Sequence, residues 1–190
     1  SLKFPAKAGL HLGNTIPGKY LSSRLPAAGG SLVRFQFPYM EAEKRGPDRA
    51  PLLEETWRAV IDKVRPNSGK LVVGGRSMGG RIASRVVAQG TQADGLALLA
   101  YPLDPPRPPA TPRNGHLPDI AVPTLFCSGT RDNFVAPGSL AIVVDGMPNA
   151  VLHELEGADH GFAVLKSSGR TREDVLQEVI DVMLRWVEGI

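Results

Sequence analysis

The sequence predicts an α/β fold: a mainly parallel, doubly wound sheet with helices on both faces. Three observations lead there. Short apolar runs alternate with longer stretches of helical spacing, the pattern of strands joined by crossover helices. Runs such as Gly95–Tyr101 and Thr124–Gly129 carry no charge, as expected of strands buried on both faces. One run, Lys70–Gly74, ends in a tight Gly-rich turn that leads straight into a helical pattern.

The elements follow in order. Ser31–Phe37 alternates apolar and polar residues and reads as a strand ended by Pro38. Residues 39–50 are charged and loop-like. Pro51–Val64 reads as an amphipathic helix, with Pro51 in its first turn and Pro66 as its stop. The strand Lys70–Gly74 and the helix Gly80–Ala88 come next, then the strand Gly95–Tyr101. Residues 102–118 hold Pro102, Pro105, Pro106, Pro108, Pro109, Pro112 and Pro118, which predicts a stiff irregular loop. Thr124–Gly129 is a strand, 137–146 a short helix opened by Pro137, and Ala150–Leu155 the last strand. Thr171–Val187 is a helix with Thr171 as its cap and Val175, Val179, Val182, Leu184 and Trp186 on or near its apolar side. No repeat, linker or second domain interrupts this, so residues 1–190 read as a single domain.

The bulk properties exclude several classes of function. The net charge of +3 is small for 190 residues, and Lys and Arg are scattered rather than clustered with aromatics, so no nucleic-acid partner is expected despite a pI near 9.2. Cys127 is the sole cysteine, which forbids an internal disulfide and a cysteine metal cluster. No apolar run approaches a membrane span, and Ser1–Pro5 lacks a signal-peptide apolar region. A cytoplasmic protein with no membrane partner is the expectation; oligomeric state is left open.

The chemistry concentrates at Gly75-Arg76-Ser77-Met78-Gly79, a G-x-S-x-G motif between strand and helix. Such a turn lifts a serine hydroxyl clear of the sheet and needs small residues beside it, here Gly75 and Gly79. It also puts the Met78 N–H at a helix start, where it can face a developing negative charge. A phosphate-binding reading is disfavoured. The stretch lacks a Gly-Lys-Ser/Thr ending, and a G-x-G-x-x-G pattern is out of register.

A serine needs a base, and the base an acid that fixes its tautomer. In parallel sheets such partners sit on loops at the carboxyl ends of strands. Asp132 follows Thr124–Gly129 in Ser128-Gly129-Thr130-Arg131-Asp132 and is the acid candidate. Asp104 is the second choice; Asp94 lies at the wrong strand end, and Asp119 precedes its strand. His160, in Gly157-Ala158-Asp159-His160-Gly161-Phe162, is the base candidate. His153 lies within a strand, His116 in the proline-rich loop, and His11 near the start. Asp159 reads as a loop-shaping residue.

These residues resemble the α/β-hydrolase superfamily. More narrowly, Gly74-Gly75-Arg76-Ser77-Met78-Gly79-Gly80-Arg81 looks like a small Tex30-like bacterial family, related also to a subunit of the nonspecific-lethal chromatin complex. Val33–Met40, Tyr101-Pro102-Leu103, Pro123–Leu125, Gly129–Asp132 and Asp159–Phe162 support the likeness over roughly residues 20–190. The resemblance implies Ser77 as nucleophile, Asp132 as acid and His160 as base. It also implies a second oxyanion donor on an early His-Gly-Ala-Gly loop. Here the nearest text is Gly9–Asn14, so Leu12 (or Gly13) is the expected donor beside Met78. The expected substrate is a small-molecule ester or thioester, with no metal or organic cofactor. The chain leaves no room for a large lid, and Tyr101 and Phe162 are expected to wall the pocket. A non-catalytic interaction module and an acyltransferase remain alternatives.

Overall fold

The computed structural model describes residues 30–104 and 112–190. Its framework is a four-stranded sheet in the order β1 (Val72–Arg76), β2 (Gly95–Leu99), β3 (Thr124–Gly129), β4 (Ala150–Leu155). Every pairing is parallel, in a register that sets Arg76 beside Leu99, Leu99 beside Cys127 and Gly129 beside Leu155. The carboxyl ends of the strands therefore share one edge. A short helix α1 (Pro38–Glu41) and the longer α2 (Ala50–Val64) precede the sheet. Helix α3 (Met78–Ala88) joins β1 to β2, α4 (Ser139–Asp145) joins β3 to β4, and α5 (Arg172–Gly189) follows β4.

Alternation along the strands divides the core in two. Val72, Ala97, Leu99, Leu125 and Cys127 face α5, which buries Val175, Val179, Ile180 and Met183 against them. Val73, Leu96, Leu98 and Phe126 face the other way, onto Trp57 and Ile61 of α2, Ile82 and Val86 of α3, and Leu140 and Val144 of α4. Side chains of successive residues in a strand point to opposite faces, so an all-apolar strand demands cover on both sides. Thr171 caps α5 as expected: its hydroxyl accepts from the Asp174 N–H while the Asp174 carboxylate takes the Thr171 N–H.

One element differs from the sequence expectation. The segment Ser31–Phe37 pairs with no strand among the described residues. Its rings pack inward instead: Phe37 is buried and Phe35 half-buried, with Phe35 edge-on to Trp57 at 4.9 Å and to Phe37 at 5.6 Å. Alternation reports burial of one face, but a strand also needs a neighbour to take its hydrogen bonds. Smaller differences lie at element ends. The chain after α2 makes a 3₁₀ turn, Arg65–Asn67, before β1 begins at Val72.

Candidate active site

The turn from β1 into α3 is built on one backbone contact. A Cβ on Gly80 would lie 2.5 Å from the Gly75 carbonyl oxygen, and a Cβ on Gly75 would lie 2.8 Å from the Gly80 nitrogen. Both positions therefore exclude a side chain. Gly79 meets nothing within 4 Å, so of the expected pair only Gly75 is sterically required, and its counterpart is Gly80. Ser77 sits at the apex with φ 52° and ψ −122°, a conformation that costs a residue with a side chain about 1–3 kcal/mol. The turn is tied down on both sides: Ser77 N donates to Leu99 O at 2.8 Å, and Arg81 N donates to Ser77 O at 3.0 Å. Met78 is the first residue of α3, so its N–H belongs to the first turn, which has no intrahelical acceptor.

Two loops from the same sheet edge converge on this serine. Ser77 Oγ lies 2.9 Å from His160 Nε2, and His160 Nδ1 lies 2.8 Å from Asp132 Oδ2. The second carboxylate oxygen of Asp132 accepts the Phe134 N–H at 2.8 Å. Solvent reaches only the outer members of this chain: the Asp132 side chain is fully covered, whereas that of His160 is 19% exposed and Ser77 is half-buried. The orientation assigns the protons. Asp132 accepts from Nδ1–H, which leaves Nε2 bare to accept from the serine hydroxyl.

The loop bearing His160 is braced by groups that sequence spacing does not mark. Arg76, inside the G-x-S-x-G motif, donates to the His160 carbonyl at 2.7 Å, and its guanidinium lies over the Phe162 ring at 5.9 Å. Arg172 donates to the Gly161 carbonyl at 2.7 Å. Asp159 shapes the loop from within, accepting from Gly161 N at 2.7 Å and Ala163 N at 2.9 Å. A Cβ on Gly129 would lie 2.2 Å from Ala158 O, so the loop sits directly on the end of β3. Burial lowers the Arg76 pKa, as does nearby Arg172, while Asp132 and Asp159 oppose both. The Phe134 ring tilts against the imidazole at 4.5 Å between centroids.

The rival residues are engaged elsewhere. Asp94 accepts the Leu71 N–H at 2.6 Å and pairs with Arg65 at the opposite sheet edge. Asp104 accepts the Ala136 N–H at 2.8 Å. His153 pairs with Glu178 at 2.7 Å, and His116 with Ser84 at 2.7 Å. Burial pushes the Cys127 thiol up to about 12, which removes it as a nucleophile. His11 and the expected donor Leu12 lie outside the described residues.

The expected pocket walls are corrected by the structure. Tyr101 and Phe162 are both fully buried and line no open surface. Tyr101 turns inward from the end of β2, edge-on to Phe126 at 5.7 Å, with its hydroxyl on the Arg113 carbonyl at 2.6 Å. Phe162 has φ 62°, and its ring lies in the core against α5. No large lid intervenes among the described residues, and none of their helices is long and apolar enough to cross a membrane.

Comparison with known proteins adds the lineage. Residues 18–188 match a family described as an alpha/beta hydrolase domain. An alpha-beta serine hydrolase homologue from Coxiella burnetii superposes with a TM-score of 0.74 at 18% identity, over 97% of this chain and 86% of that one. A ferulic-acid complex of Est1E from Butyrivibrio proteoclasticus gives 0.71 at 14% identity, over 98% and 91%. A lidless alpha/beta serine hydrolase from Xanthomonas campestris gives 0.67 at 19%, over 98% and 87%. Among curated proteins, the polyketide synthase ThaQ of Burkholderia thailandensis is 36% identical over 73 residues, which span 38% of this chain and 3% of the synthase.

Proposed function

Because this chain belongs to the alpha/beta hydrolase domain family, we propose that it is a serine hydrolase of small esters or thioesters, with Ser77 as nucleophile, His160 as base and Asp132 as acid. The observation that carries the reading is the hydrogen-bond chain from Ser77 Oγ through both imidazole nitrogens to a covered carboxylate. Lipolytic enzymes and an esterase domain of the same fold support the hydrolase part of this reading.

In this reading Ser77 Oγ bonds to the acyl carbon as its proton passes to His160 Nε2. The carbonyl oxygen takes the negative charge and faces the Met78 N–H. Asp132 holds the imidazolium that results. The tetrahedral adduct then breaks its bond to the alcohol or thiol, which leaves with the proton from Nε2. Water enters, gives a proton to Nε2 and attacks the acyl-serine. Collapse returns that proton to Ser77 Oγ and releases the acid. A second oxyanion donor from Leu12 belongs to this proposal. Oxyanion donors of this kind are each worth roughly a hundredfold in turnover. A soluble, cytoplasmic setting and a small acyl substrate complete it.

The test is hydrolysis of p-nitrophenyl butyrate by wild type and by Ser77→Ala, with fluorophosphonate labelling alongside. The reading predicts turnover and labelling in wild type and loss of both in the variant. A wild-type rate equal to that of Ser77→Ala overturns it.

A further inference from the structure

The flank of α3 that faces residues 113–116 carries a charge imbalance that the serine chemistry does not use. Arg81 is half-buried, and its Nε is covered without a hydrogen-bond partner among the described residues. Its side chain forms no ion pair among the described residues, and neither does that of Arg113. All 19 acidic residues of the chain lie within 30–104 and 112–190, because residues 1–29 and 105–111 contain no Asp or Glu. No carboxylate side chain elsewhere in the chain can supply the missing counter-charge.

The neighbours deepen the imbalance. Arg85, one turn further along α3, is committed to Glu54 at 2.6 Å. Glu54 is also held by Arg58 and Gln89. His116 and Tyr101, which border the same space, contribute no negative charge: burial and the adjacent arginines hold the His116 pKa down to about 4, and burial pushes the Tyr101 phenol up to about 12. Burial lowers the Arg81 pKa, and Arg113 lowers it further. A guanidinium with a covered, unpaired N–H is costly unless something outside the chain pairs with it.

Position says where that partner comes from. Arg81 lies one helical turn after Ser77, and its own N–H bonds the Ser77 carbonyl. Long side chains on a helix lean toward its N-terminus, here the sheet edge that holds Ser77. We propose that Arg81, with Arg113, receives an oxyanion, carboxylate or phosphate, carried by the substrate whose acyl group Ser77 attacks. This rests on the hydrolase reading above and narrows its substrates to singly acidic esters or thioesters. Arg81 acts on specificity and takes no part in bond making.

Two esters with one leaving group test this: mono-p-nitrophenyl glutarate, which carries a carboxylate, and neutral p-nitrophenyl butyrate. A charge-assisted contact predicts that wild type favours the glutarate by about ten- to a hundredfold in kcat/KM, mainly through KM. Arg81→Gln and, to a lesser extent, Arg113→Gln lower the ratio, and Arg81→Lys restores part of it. An unchanged ratio in Arg81→Gln overturns the proposal. Inorganic phosphate titrated into Ser77→Ala tests the receptor without turnover. A rise in Tm that vanishes when Arg81→Gln is added supports it, and no rise overturns it. Such a rise with no ester discrimination overturns the assignment to the substrate. If Ser77→Ala matches wild type on both esters, the hydrolase reading fails instead, and the phosphate titration alone judges the anion receptor.

Discussion

Two half-buried arginines, Arg76 and Arg81, stand five residues apart around the same turn, and they live in different surroundings. Arg76 faces Arg172 but also Asp132 and Asp159, donates to the His160 carbonyl and covers the Phe162 ring. Arg81 faces Arg113 and Arg85, and its Nε has no partner among the described residues. The first is a finished structural contact. The second is a half-contact. The difference teaches that burial of a charge does not by itself reveal a role; the inventory of partners does.

The largest expected effects test the finished side. Ser77→Ala lowers kcat by roughly 10⁴ or more, and Asp132→Asn by about 10⁴, because the wrong imidazole tautomer is then held toward the serine. Steady-state hydrolysis of p-nitrophenyl butyrate measures both. Arg76→Met releases the His160 carbonyl and leaves two carboxylates facing less positive charge. A loss of about ten- to a hundredfold in kcat, with little change in KM, is expected from a misplaced base. A normal kcat in that variant would remove Arg76 from the bracing of the site.

Stability separates the two sides next. Gly80→Ala drives a Cβ toward the Gly75 carbonyl and lowers stability by about 2–3 kcal/mol, whereas Gly79→Ala is neutral or stabilising by up to about 1 kcal/mol. Urea unfolding distinguishes them. Arg76→Met lowers Tm, and Arg81→Met holds or raises it in the absence of ligand, since one removes a guanidinium hydrogen-bonded to the His160 carbonyl and the other a guanidinium whose covered Nε has no partner among the described residues. The smallest effect is in acid. His116 titrates near 4 when folded, well below the ordinary histidine value of about 6.5. The unfolded chain therefore binds this proton first, so the contribution of His116 is complete above about pH 6.5 and is lost as pH falls toward 4. The Tm of His116→Gln should fall less steeply across that window than that of wild type.

Much of this was legible in the sequence because its causes are local. Strands covered on both faces must be apolar throughout, so β1 to β3 announce themselves within a residue or two of their bounds. The three residues joined by hydrogen bonds at the sheet edge follow from the strand ends at which they lie. What escaped is set by long-range geometry. The alternation of Ser31–Phe37 cannot say whether a neighbouring strand exists. Tyr101 follows a strand end, but only the Arg113 carbonyl decides that its ring turns inward. Arg76 and Arg172 bond backbone carbonyls, and a carbonyl leaves no mark in sequence. The motif names Gly79, while the backbone contact falls on Gly80.

The strained backbone at Ser77 sets stability and activity against each other at a single position. Glycine is at ease with φ 52°, so Ser77→Gly should relax the turn and yield an inactive protein that melts higher than the active one. Selection for thermal robustness alone would then discard the nucleophile. The persistence of a serine there is a constraint imposed from outside the fold.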